Sequence, residues 1–179
     1  MRLYSIVVAL LSFAVIWTGC RSGKPEPSGE LSKQTAIETG AHTMTIDEAE
    51  RVLSEKFDMV SDIAALPQPV KRSFCNLEHC NYEGVKFDMV NPGEPMSNDA
   101  VTVGVPNKRL RFAAINDTSA IVFYEWGGFV GQHCVTLFDF QHRKSWGGSL
   151  TDYRVATLEQ LRSAITSKQF VEWDANSRR

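Results

Sequence analysis

Beyond residue 44 the apolar positions of the chain fall into two periods, one helical and one extended. From Thr45 onward, Ile46, Ala49, Leu53, Phe57, Val60 and Ala64 recur at steps of three or four, which lays them along one stripe of a helix. Thr45 followed three residues later by Glu48 forms a capping box, so the helix starts there. No Gly or Pro interrupts the pattern before Pro67, although its regularity weakens over Lys56 to Val60. Pro67 and Pro69 end that element, and Pro69 can open a short second helix with Val70 and Phe74 one turn apart on one face. Near the other end, Thr157 and Gln160 form a second capping box, and Leu158, Leu161, Ala164 and Ile165 make the stripe of a C-terminal helix.

Between these helices the period changes to two. Leu110, Phe112 and Ala114 alternate with Arg109, Arg111 and Ala113; Asn116-Asp117 turns the chain, and Ala120 to Tyr124 follows at once, a hairpin signature. Gly127 to Gly131 loops into a run from His133 to Phe138, and Gln141 to Arg143 marks a further turn before Trp146. Residues 76 to 108 carry scattered Gly, Pro and Asn and read as long connections around one strand, Ala100 to Val105. Lys-Phe-Asp-Met-Val occurs at 56 to 60 and again at 86 to 90, but the flanks differ and no repeat architecture follows. The expected fold is α+β: an antiparallel β-meander of about four to five strands, with an N-terminal helix and a C-terminal helix packed on one face.

Residues 21 to 44 are instead rich in Pro, Gly, Ser and charge and poor in large apolar side chains, the composition of a flexible tether. As a random coil such a segment spans roughly 25 to 30 Å, enough to lift a small domain off a membrane surface. Ahead of it, Arg2 precedes an uncharged apolar run from Ile6 to Trp17, closed by Thr18, Gly19 and Cys20. That order is secretory, and the run is short for a membrane span of about 20 residues. The small pair Thr18-Gly19 immediately before Cys20 resembles the lipobox of bacterial lipoproteins, with Trp17 where that family usually carries Leu. The resemblance implies that residues 1–19 are a signal peptide that is removed. It also implies that Cys20 carries diacylglycerol and palmitate-type acyl chains and ties the protein to a cell-envelope membrane. Arg21 after the cysteine, in place of Asp, implies by the same resemblance the outer membrane facing the periplasm, in a cell that has one. The organisation is then a leader at 1–19, a lipidated cysteine and tether at 20–44, and one globular domain at 45–179 with a frayed C-terminal end.

A hydrophobic share of 43% and a charged share of 22% belong to an ordinary globular domain. The formal net charge of -2 provides no basic excess to displace counterions from phosphate, so nucleic acid is not an expected partner. Gly127-Gly128-Phe129-Val130-Gly131 lacks the spacing of a phosphate-binding loop, and Gly147-Gly148-Ser149 is not a nucleophile elbow. No catalytic residue, cofactor or metal is expected.

Apart from Cys20 the chain holds Cys75, Cys80 and Cys134, an odd number for an oxidising compartment. A disulfide between Cys75 and Cys80 requires a loop after the short helix, because on a continuous helix the two would stand about 140° apart. Pairing of Cys80 with Cys134 remains open. His79-Cys80 and His133-Cys134 raise a metal or thiol centre as the alternative, but adjacent strand residues such as His133 and Cys134 point to opposite faces. Glu125-Trp126-Gly127-Gly128-Phe129 sets a carboxylate and two aromatic rings beside glycines at a strand end, so Glu125, Trp126 and Phe129 are the candidate binding loop. The expected role is a membrane-tethered domain that binds or scaffolds an envelope partner. The alternatives are a thiol- or metal-dependent enzyme using Cys75, Cys80 and Cys134 with His79 and His133, or a small-ligand carrier with a pocket beneath the Gly127 to Gly131 loop.

Overall fold

The computed structural model describes residues 36–37, 42–78, 87–98, 105–128, 131–151 and 154–173. His42–Thr43 form strand β1, and helix α1 follows at Ile46–Leu53. The capping box closes as expected: the Glu48 amide donates to Thr45 Oγ1 at 3.3 Å and the Thr45 amide to Glu48 Oε2 at 2.9 Å. The helix ends far short of Ala64. Ser54 caps it, and Asp58–Val60 form a short strand, β2. There the open edge of the first hairpin supplies main-chain partners, Asp58 lying opposite Ile115 and Val60 opposite Ala113, and non-local pairing overrides helical spacing. Phe57 still packs into the core addressed by the stripe, whereas Val60 packs on the other side of the sheet. A 3-10 turn at Ile63–Ala65, capped by Asp62, leads into α2 at Gln68–Glu78, with Pro69 in the first turn, where its missing amide costs nothing.

Four long strands carry the meander: β3 at Lys108–Ile115, β4 at Ser119–Trp126, β5 at Gln132–Asp139 and β6 at Lys144–Leu150, each antiparallel to the next. The expected turn is built by Asn116, whose Oδ1 accepts from the Thr118 and Ser119 amides at 2.9 and 2.7 Å. Helix α3 spans Leu158–Thr166 behind the Thr157/Gln160 box, and β7 spans Phe170–Glu172. Among the described residues the sheet has seven strands in the order β1-β6-β5-β4-β3-β2, with β7 also on β6. That count exceeds the four to five expected because β1, β2 and β7 have only two or three residues, too few to display a period. Of the strand expected at 100 to 105, residues 100–104 lie outside the described residues, and Val105 is an exposed bend.

Both faces of the sheet are covered. Helices α1 and α3 share one, where Val52, Leu53, Leu161 and Ile165 pack on Phe112, Phe123, Leu137 and Trp146. Arg162 ties the two helices by donating to the Leu53 and Glu55 carbonyls at 2.5 and 2.6 Å. Helix α2 covers the opposite face, with Val70 and Phe74 on Leu110, Val122, Tyr124 and Phe138. Phe74 meets the Tyr124 ring edge-on at 5.1 Å, and Tyr124 donates to Glu78 Oε1 at 2.9 Å. This second layer explains why Ala120 to Tyr124 is apolar without alternation, as a strand buried on both sides must be.

The cores also take in residues ahead of Thr45. Ile37 is buried in the α2-side core, its amide donating to Ser73 Oγ at 2.7 Å and its carbonyl accepting from Asn76 Nδ2 at 2.8 Å. Met44 is buried in the other core, and its amide reaches the Ser145 carbonyl at 2.9 Å. A segment polar in composition thus contributes buried apolar side chains, Ile37 and Met44 among them, which an averaged composition hides.

Candidate functional site

Strand β3 is not regular. Leu110 pairs with Tyr124 and Phe112 with Phe123, so Arg111 is the extra residue of a β-bulge. The bulge reverses the phase of the strand: Leu110 packs on the α2 side, whereas Phe112 and Ala114 pack under α1 and α3. The alternation read from the sequence therefore does not hold across Arg111. The shift also decides what faces Glu125. Counting from Ile115 opposite Ala120 without a bulge, Glu125 would oppose Leu110; with it, Glu125 opposes Arg109.

Both arginines close on that carboxylate. Arg109 donates through Nε at 2.7 Å and through Nη2 to Oε2, and Arg111 donates through Nη1 to Oε1 at 2.7 Å. His133, opposite Glu125 on β5, places Nε2 3.5 Å from Oε1. Burial, leaving the Glu125 side chain 12% exposed, pushes its carboxyl up. The Arg109 hydrogen bond and the charges of Arg109, Arg111 and His133 outweigh that effect and hold it below the usual value. Glu125 is a fixed anion at neutral pH rather than a proton donor.

Two of the residues expected in one binding loop, Glu125 and Trp126, diverge. Glu125 and Trp126 both belong to β4, and adjacent strand positions point to opposite faces. Trp126 packs on the α2-side core, with Lys108 Nζ 5.7 Å from its ring centroid. Phe129 lies outside the described residues. Gly127 is held close to its neighbours: its amide donates to the Asn107 carbonyl at 2.7 Å, and a Cβ there would run into the Ser97 carbonyl oxygen.

Cys134 lies on the α2 side as a fully buried thiol outside any disulfide, with Sγ 3.7 Å from Ser149 Oγ. The same serine accepts from Trp173 Nε1 at 2.8 Å, and the Trp173 ring lies over Gly147, where a Cβ would come within 2.5 Å of it. His133 stands on the other face, against Phe123. Cys75 is disulfide-bonded, and His79 and Cys80 lie outside the described residues. Among the described residues no group of three or more His, Cys, Asp or Glu side chains is placed to hold a metal ion. None of the described helices is long and apolar enough to cross a membrane; Cys20 and the leader lie outside the described residues.

Two features escaped sequence reading. On the α1/α3 side a cleft of about 900 Å³ opens between β2, the outer edge of β3 and the start of α3. Phe57, Met59, Phe112 and Leu158 form its apolar lining, and Lys56, Asp58, Asp117 and Glu159 stand around it. Only the pairing of β2 with β3 brings these segments together, so no local signal reveals it. At the far end of β5, Asp139 accepts from Arg51 Nη2 and His142 Nδ1, each at 2.8 Å, and from the His142 amide at 3.0 Å. No family model, curated protein or solved structure matches the chain.

Proposed function

We propose that this protein is a lipid-anchored domain of the bacterial cell envelope that binds a partner rather than catalysing a reaction, with Cys20 as the acylated residue and the β2/α3 cleft as the contact surface. One observation supports binding over catalysis: His133 and Cys134 are held on opposite faces of β5, so that this one thiol–imidazole pair is kept apart by the sheet. Complete burial of Cys134 and the paired, ionised state of Glu125 support the same reading. The membrane attachment rests on Thr18-Gly19-Cys20 closing the short apolar run.

The test is fractionation of cells expressing the full chain and its Cys20→Ser variant. The wild type should incorporate labelled palmitate and stay with membranes through a high-salt wash, and the variant should be released. A variant that stays membrane-bound, beside a wild type that takes up no label, would refute the anchor.

A further inference from the structure

Strand β2 ends the sheet on its side: it pairs with β3, and among the described residues nothing pairs with its outer edge. An open edge is a template for main-chain pairing by another chain. Met59, opposite Ala114 and so directed to the α1/α3 side, is 54% exposed at the cleft, whereas Met89, in the second copy of the same pentapeptide, is 5% exposed. The charges beside this edge are uneven. Arg111 is committed to Glu125, and Arg162 to the Leu53 and Glu55 carbonyls. Asp58, Asp117 and Glu159 make no ion pair among the described residues, against Lys56 as the one lining cation without a partner there.

We propose that the outer edge of β2 receives an extended, basic segment of a partner polypeptide by strand addition. The segment pairs its main chain with β2, lays an apolar side chain on Met59 and sets lysine or arginine side chains against Asp58 on the alternate face, with Asp117 and Glu159 adding negative charge at the cleft rim. This rests on the binding-domain reading and names the partner's chemistry. The same carboxylates disfavour a second copy of this chain as the occupant, because two such edges would bring acidic rims together.

The probe is a blocked, fluorescent hexapeptide alternating lysine and valine, titrated against the full-length chain in non-ionic detergent. It should bind saturably. A glutamate-for-lysine counterpart and a proline-interrupted lysine peptide should each bind about tenfold more weakly or not at all, since one reverses the charge and the other removes a main-chain donor. Asp58→Lys, an exposed change, should weaken the basic peptide by about tenfold or more without altering thermal unfolding. Equal binding of the proline peptide, or an unchanged affinity of Asp58→Lys, overturns strand addition at β2. In cells, a photo-crosslinking residue at position 59 is compared with one at Val171 on the opposite edge. Crosslinks from 59 that map to an extended basic segment support the proposal. Crosslinks from 171 alone, or from 59 to a second copy, overturn it while leaving a binding domain. Crosslinks from neither position overturn both.

Discussion

Arg51 on α1 and Asp139 at the end of β5 stand 88 residues apart in the chain and meet through a 2.8 Å hydrogen bond from Nη2 to Oδ2. The Asp139 side chain is only 4% exposed. Burial alone would raise its carboxyl, but hydrogen bonds from the His142 amide, the His142 ring and Arg51 outweigh it and leave the group below its ordinary value.

A carboxyl depressed in the folded state stabilises the fold above its unfolded value, about 3.9 for aspartate, and that contribution is lost as pH falls through the folded value. Asp139→Asn should therefore cost about 1.5 to 3 kcal/mol in urea unfolding at pH 7. The gap from wild type should shrink below pH 4 or so, where the unfolded chain takes up a proton at this carboxyl before the native state does. A gap that stays constant from pH 7 to about pH 3 contradicts this account.

The Glu125 cluster gives a second prediction. Glu125→Gln leaves two guanidinium groups beside each other without their carboxylate and should destabilise by about 2 to 3 kcal/mol. Adding Arg111→Gln should cost less in that background than in the wild type, with a coupling of about 1 kcal/mol in a double-mutant cycle. Additive losses would mean that Arg111 and Glu125 are adjacent without interacting.

A third concerns the start of the domain. A chain beginning at Thr45 lacks strand β1 and also Ile37 and Met44, one in each core. Since truncating one buried aliphatic side chain costs about 2 to 5 kcal/mol, this chain should unfold at least about 4 kcal/mol more easily than one beginning at Leu31. Equal denaturant midpoints would show that these residues dock without stabilising.

The cysteines supply the fourth. With Cys75 in a disulfide and Cys134 buried, protein from an oxidising compartment should offer no rapidly alkylated thiol until it is denatured, when Cys134 reacts. We expect a tryptic peptide joining Cys75 to Cys80 and no stoichiometric metal. A native thiol alkylated rapidly below neutral pH, or stoichiometric zinc, would favour a thiol or metal enzyme.

Much of the scaffold was legible because its signals are local. Thr45/Glu48 and Thr157/Gln160 both close as capping boxes, and Asn116 turns the hairpin through its own side chain. Local spacing misled where pairing partners were remote. Residues 58–60 continue a helical stripe but become β2 because the edge of β3 is there to receive them. At positions 125 and 126 the charge and the aromatic ring were legible, but not that strand geometry sends Glu125 and Trp126 to opposite faces.

By itself, the sequence determined the α+β class, the starts of α1 and α3 and the turn of the first hairpin, since caps and turns depend on neighbours within a few positions. Tertiary structure alone decided that α2 covers a second face, that a bulge at Arg111 turns Arg109 toward Glu125, and that β2 and α3 frame a cleft. Each is a contact between segments far apart in the chain. Such contacts are selected by the burial and hydrogen bonding of the assembled sheet, quantities that no short stretch of residues contains.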